Sequence, residues 1–330
     1  MKLIDPVVDY WPQGKGINGV WEQIAKATRV SYQSKAREGE SPYAFIKRVI
    51  FKPALVEGDL DSLRSCVFNF DKMHGSCLEH GTIYLLIPYR SICTANPEKY
   101  IDNPFSYCSI VSRQDGEKEF AITTNMRVIL ENRWLDDLQY ICEPTKYHDG
   151  RYTFAVTTDI GVSREMNRNR AFSITEESTR YCAYNSGKFG SEITYVKPAW
   201  VAEFFANKFR GHNMGEWHEL FKRMCNSISE GAEGTWNDRA YMYFGLLASE
   251  FAYIGLKHKG VVNDQCRQVL NLSTKTQVVY TAFKRDWDHF VKLRADNVSG
   301  VAHPNIQFIA NEIKKIINVL DNHYRHLDID

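Results

Sequence analysis

The chain has 330 residues, 44% of them hydrophobic and 25% charged, with a formal net charge of +1. That composition is ordinary for a globular protein and leaves ample material for a core. The near-neutral balance excludes a global field drawing the protein to nucleic acid or acidic membranes, so any anion binding has to be local.

The opening, MKLIDPVVDYWPQG, has neither the basic nor the apolar region of a signal peptide. GKGING (14–19) matches G-x-G-x-x-G, but Pro12 interrupts the segment before it and the region past Ser34 is polar. A dinucleotide turn needs a strand before it and an acidic residue about 20 positions on, so we read a plain N-terminal loop. Residues 20–32 (VWEQIAKATRVSY) and 42–51 (PYAFIKRVIF) space their apolar positions as helices do, with GESP between them. TIYLLIP (82–88) and RYTFAVTT (151–158) predict strands, and EITYVKP, residues 192–197 with the proline that follows, a shorter one. Between them the region 93–120, rich in Asn, Pro, Ser and Asp, predicts a long excursion. Ser163 predicts the N-cap of a short helix running to about Arg170, on which Arg164 and Arg168 share a face.

From Trp200 onward the pattern is helical. Ala240, Phe244, Leu247, Phe251 and Ile254 form one stripe, and Val279, Phe283, Trp287 and Phe290 another. Ile306, Ile309, Ile313, Ile316 and Leu320 form a last one, opened by Pro304. No apolar run approaches the roughly 20 residues of a membrane helix. With no repeat and no convincing linker, residues 1–330 read as one α+β domain.

Eight cysteines are scattered without a CxxC pair, which fits a reducing cytoplasm. The histidine pairs 74/80, 212/218 and 323/326 join no Cys or carboxylate set at metal-site spacing, so no metal is expected. P-loop, G-x-S-x-G and HExxH motifs are absent. MHGSCLEHGTIYL (73–85) sets His74, Ser76, Glu79 and His80 directly before an apolar strand, a pattern that fits a site or a capped turn equally.

GVSREMNRNRAFSITEESTRYC (161–182) holds Arg164, Arg168, Arg170 and Arg180, interleaved with Glu165, Glu176 and Glu177 and with apolar residues. Ser178 with Arg180 offers a hydroxyl and a guanidinium fork, a good pairing for phosphate. A structural Arg–Glu network is the competing reading.

Arg168-x-Arg170 followed by seven residues and Ser178 resembles the signature of the flavin-dependent thymidylate synthase family. ATRVSYQS (27–34), HGSCLEH (74–80), the segment 266–296 and AHPNI (302–306) resemble further family elements in the correct order. The resemblance covers most of the chain, and it is to the longer bacterial and phage members. It implies a mixed or antiparallel sheet flanked by helices, and a homotetramer whose active sites form between subunits. It also implies reductive methylation of dUMP to dTMP, with methylenetetrahydrofolate as carbon donor and NADPH supplying hydride through FAD. Carried over by position, Ser76, Glu79, Arg168, Asn169, Arg170, Arg285 and His289 face FAD. Glu165, Ser178, Arg180, Arg267 and Arg294 hold dUMP, with Arg294 near the pyrimidine as the catalytic candidate. Asn169 stands in place of the signature's histidine, Phe283 in place of a frequent asparagine, Asn271 in place of a proline, and Glu165 in place of a frequent glutamine. These departures leave open a flavin- or nucleotide-binding relative with lost or altered activity.

Overall fold

A computed structural model describes residues 1–32, 37–89, 96–112, 116–178, 192–201 and 214–327. The chain opens with β1 (Lys2–Ile4) and β2 (Val7–Tyr10), followed by α1 (Gly16–Tyr32). The helical stretch predicted over 42–51 is α2 (Pro42–Ile46), which runs into a wider π-type turn, Lys47–Phe51. Ser41 caps it, its side chain accepting from Ala44 N, and Pro42 occupies the first turn, where a missing N–H costs nothing. A small hairpin, β3 (Leu55–Glu57) and β4 (Val67–Phe68), precedes the 3-10 turn Gly75–His80.

Strands β5 (Thr82–Pro88), β6 (Tyr107–Ser112) and β7 (Lys118–Asn125) form an antiparallel sheet in the order β5-β7-β6. The region read as an excursion therefore carries β6 and the start of β7. Its Ser and Asp content masked strands whose apolar residues serve only one face. Helix α3 (Met126–Glu131) follows, and the chain then returns as β8 (Arg151–Asp159).

Next come α4 (Ile160–Met166), β9 (Ser173–Glu176), β10 (Thr194–Val196), α5 (Met214–Ser229) and α6 (Asp238–His258). Strand β11 (Lys275–Phe283), α7 (Lys284–Arg294) and α8 (Pro304–Leu327) complete the order. The stripe through Val279, Phe283, Trp287 and Phe290 thus spans a strand–helix junction. Its four-residue steps are helical only after Lys284.

The central sheet, β2-β8-β11-β9, is antiparallel throughout. Alternation along β11 sorts its two faces. Val278, Tyr280 and Ala282 pack with Trp287, Phe290 and the α8 isoleucines 306, 309 and 313, whereas Val279 packs with Ala27 and Val30 of α1. Both faces are therefore covered, which is why β8 and β11 read as nearly continuous buried runs. The β5-β7-β6 sheet has its own core with α1, the 42–54 segment and α3. A third cluster joins Ile193 and Tyr195 to α5 and α6. The arrangement is α+β with an antiparallel sheet between helices, as expected.

Candidate active site

The arginine segment is built on the end of β8. Asp159, not Ser163, caps α4, with its Oδ1 accepting from Val162 N at 2.8 Å and its Oδ2 from Asn305 Nδ2 at 3.0 Å. A carboxylate placed where the strand ends starts the helix four residues earlier than the sequence reading has it. The helix consequently stops at Met166, so Arg168 lies beyond it and shares no helical face with Arg164.

The turn that follows is fixed from both sides. Asn169 donates through its backbone N and its Nδ2 to Met166 O, at 3.0 and 2.9 Å. Tyr280 OH donates to Asn167 Oδ1 at 3.0 Å. Phe172 is buried, with its ring centroid 4.3 Å from Trp287, 5.8 Å from Phe290 and 5.9 Å from Tyr280. Aromatic packing thus pins the segment to β11 and α7 while Arg164, Arg168 and Arg170 remain exposed.

Two of the three interleaved glutamates, Glu176 and Glu177, are committed elsewhere. Glu176 Oε1 accepts from Ser163 Oγ and from Thr276 Oγ1, each at 2.9 Å. Glu177 is buried beside Lys275; burial pushes its carboxyl up, and the lysine opposes that shift. Within the described residues no ion pair or side-chain hydrogen bond is made by Arg164, Arg168 or Arg170. The competing Arg–Glu network does not form. Three guanidinium groups are left with their charge uncancelled, which suits anionic ligands.

The turn Gly75–His80 rests on the same sheet. His80 is fully buried, with Nδ1 2.8 Å from Thr281 Oγ1 of β11 and Nε2 2.9 Å from Thr175 Oγ1 of β9. Thr281 Oγ1 lies in turn 2.7 Å from Thr153 Oγ1 of β8. Burial lowers the His80 imidazole to about 3, so it is neutral, with one nitrogen donating and the other accepting. With His80 turned inward, Ser76 and His74 face outward and Glu79 is half-buried.

The ladder between β9 and β11 separates the carried-over residues into two ends. Ser173 pairs with Thr281, two residues before β11 ends. Arg168, Asn169 and Arg170 therefore lead into the ladder at the end from which β11 continues into Arg285 and His289 of α7. Both of these are exposed. Ser178 follows the other end, held by its backbone N to Ser31 O at 3.3 Å. Exposed Arg267 also precedes β11 at that end, in the turn Arg267–Val269. Asn271 replaces the family proline as a turn former, its Oδ1 accepting from Ser273 N at 3.0 Å. Half-buried Glu165 lies on α4, and half-buried Arg294 is the last residue of α7. Arg180 lies outside the described residues, as do Cys182 and His212.

Four residues at this site were not singled out from sequence. Arg127 of α3 pairs with Glu79 at 2.6 Å and with Glu131 at 2.7 Å. Asp149 lies 3.4 Å from Arg285, whose guanidinium sits 5.5 Å from the Tyr107 ring centre and 4.9 Å from that of Phe283. Arg151 lies 5.4 Å from the Phe283 centre and donates to Glu79 O at 3.1 Å; burial lowers its guanidinium to about 10. The Arg127/Glu131 spacing of four was the one legible signal, and it says nothing about Glu79.

A cavity of about 950 Å³ opens between the 12–16 loop, the 141–150 segment and Arg151. Its lining includes none of the carried-over residues. Some of the charges along it are already engaged: Lys284 pairs with Asp321 across the lining and with Asp288 outside it, and Glu143 accepts from Gly16 N. Among the described residues no group of three His, Cys, Asp or Glu is arranged to hold a metal ion, and no helix is long and apolar enough to cross a membrane.

Exposed arginines thus flank the β9–β11 ladder, Arg168 and Arg170 ahead of β9 and Arg267 ahead of β11. Residues 145–320 match the family model described as thymidylate synthase complementing protein, and the chain belongs to this family of flavin-dependent thymidylate synthases. Among solved structures it is similar to the UMP/dUMP methylase PolB from Streptomyces cacaoi bound with 5-Br UMP. That match has 16% identity and a TM-score of 0.37, and covers 96% of this chain and 90% of that one. The same methylase bound with 5-Br dUMP matches at 16% identity and a TM-score of 0.36, covering 96% and 91%. No curated protein matches the chain.

Proposed function

We propose that the protein is a flavin-dependent thymidylate synthase, converting dUMP, methylenetetrahydrofolate and NADPH into dTMP, tetrahydrofolate and NADP. The observation that carries this reading is the set of exposed arginines on a family-matching segment, with Glu176 and Glu177 engaged elsewhere.

The residues fit FAD. Arg168 and Arg170 offer uncancelled forks for a pyrophosphate, and the exposed Arg285 lies over the Phe283 ring, with Glu79 and Ser76 completing the proposed set. Bound FAD would supply hydride transfer. The chain's own part is to hold two phosphorylated ligands and to keep positive charge where negative charge develops on the uracil ring. Ser178, Arg180 and Arg267 hold the nucleotide phosphate, Glu165 orients the nucleotide, and Arg294 meets the pyrimidine. Asn169 keeps the arginine turn in shape through Met166 O and leaves its own Oδ1 to accept from a ligand. Because the two residue sets leave the sheet at different ends, a complete site assembled between subunits of a homotetramer suits them.

The test is direct. Purified protein supplied with FAD, dUMP, methylenetetrahydrofolate and NADPH should form dTMP. Flavin and dUMP binding without dTMP would favour the relative with altered activity, which the Asn169 and Phe283 departures motivate; UMP is then the next substrate to try.

A further inference from the structure

We propose that the segment inserted between His80 and Arg151 is a clamp for the flavin site, with Arg127, Tyr107 and Asp149 as its positioning residues; this rests on the flavin reading above. The insertion leaves the central sheet at the Gly75–His80 turn and comes back beside it, since Arg151 Nη1 donates to Glu79 O at 3.1 Å. It brings its own antiparallel sheet, whose core is shared with α1, the 42–54 segment and Cys77 and Leu78 of the Gly75–His80 turn. That packing sets the turn against the insertion, and the insertion adds polar contacts to Glu79 and Arg285 beyond the apolar core.

Arg127 Nη1 donates to Glu79 Oε1 at 2.6 Å while its Nε donates to Glu131 Oε1 at 2.7 Å. The guanidinium lies so close over the Ser76–Glu79 turn that a Cβ on Gly75 would sit 3.2 Å from Arg127 Nε. Arg285 has three walls: Asp149 at 3.4 Å, the Tyr107 ring centre at 5.5 Å and the Phe283 ring centre at 4.9 Å. Two of these come from the insertion. Arg285 is an exposed, four-torsion side chain that would otherwise be free to sample rotamers, and ordering such a side chain on binding weakens affinity by a factor of a few to about tenfold. The insertion orders it, and Glu79, before the ligand arrives. Phe283, in place of a family asparagine, gives the guanidinium a face to lie on where an amide offers none.

The experiment measures FAD and dUMP dissociation constants separately, by flavin fluorescence quenching and by calorimetry, for wild type, Arg127→Ala, Arg127→Lys, Glu79→Gln, Tyr107→Leu and the double variant Arg127→Ala/Glu79→Gln. Arg127→Ala and Tyr107→Leu should each weaken FAD roughly fivefold, with dUMP affinity and thermal midpoint held. Arg127→Lys should recover part of the loss. The double variant should lose less than the sum of its singles, because the Arg127–Glu79 pair is already broken. Tyr107→Leu reads the clamp without disturbing the ion pairs, should Arg127→Ala fold poorly. FAD affinity unchanged in both Arg127→Ala and Tyr107→Leu overturns the clamp while leaving the flavin reading intact. A wild type that takes up no FAD overturns both.

Discussion

His80 ties together three strands and the turn that carries Ser76 and Glu79, and its neutrality makes that tie measurable. In the unfolded chain the imidazole titrates near its ordinary 6.5, but burial among threonine hydroxyls lowers it to about 3 in the native protein. A histidine with a depressed native value leaves stability intact above pH 6.5. Below that the unfolded chain takes up a proton that the native site refuses, and stability is lost as pH falls toward 3. The slope is about 1.4 kcal/mol per pH unit, so moving from pH 7.5 to pH 5 removes about 2 kcal/mol. His80→Gln supplies a donor and an acceptor without a titrating group. Its misfit lowers stability by a constant amount, on the order of 1–3 kcal/mol. Glu177 and Asp159, whose carboxyls burial pushes up, act in the opposite direction but equally in both proteins. Urea unfolding at pH 7.5, 6 and 5 should therefore show wild type losing about 2 kcal/mol more than His80→Gln over that range. Parallel curves would mean that His80 takes up a proton in the folded state, and the neutral-pin account would fall.

Phe172→Ala should cost about 3–5 kcal/mol, because a buried ring packed on Trp287, Phe290 and Tyr280 is removed. Where the variant still folds it should weaken FAD binding more than dUMP binding, which paired titrations will read. Asn169→His should change turnover by less than about tenfold, or ~1.4 kcal/mol, since Asn169 already fills a hydrogen-bonding role at Met166 O; an inactive wild type revived by this change would refute that. Arg294→Ala should abolish dTMP formation while FAD remains bound, and unchanged turnover would show the residue was carried over wrongly.

Much of this protein was legible one residue at a time. The apolar stripe of α8 follows from helical periodicity, and the β5 and β8 strands from short apolar runs, because these patterns are local. The α6 segment is helical as read, but its buried face runs through Tyr243, Leu246, Leu247, Glu250 and Tyr253, and Phe251 of the expected stripe is exposed. The spacing Arg168-x-Arg170 to Ser178 was likewise a local fact, and it led to the family. Where local rules failed, a distant partner had decided the outcome. Ser163 is a good N-cap in isolation, but Asp159 was already positioned by its strand and by Asn305 of α8. Val279 and Phe283 fit a helical stripe, yet β8 and β9 draw them into a sheet through backbone pairing that side-chain spacing does not encode. Strand β9 itself, four residues long, exists because β11 is there to pair with it.

The glutamates beside the arginines look like their partners in sequence, and only the sheet register sends Glu176 to Thr276 and Glu177 to Lys275. Tyr107 and Asp149 are separated from Arg285 by more than a hundred positions, Arg127 lies far along the chain from Glu79, and none carries a motif. What brings each to its partner is the closure of an inserted sheet onto the Gly75–His80 turn. Residue types set what each side chain is able to bind. Long-range strand pairing and burial, which depend on contacts between segments far apart in the chain, decided which of those capacities were left free.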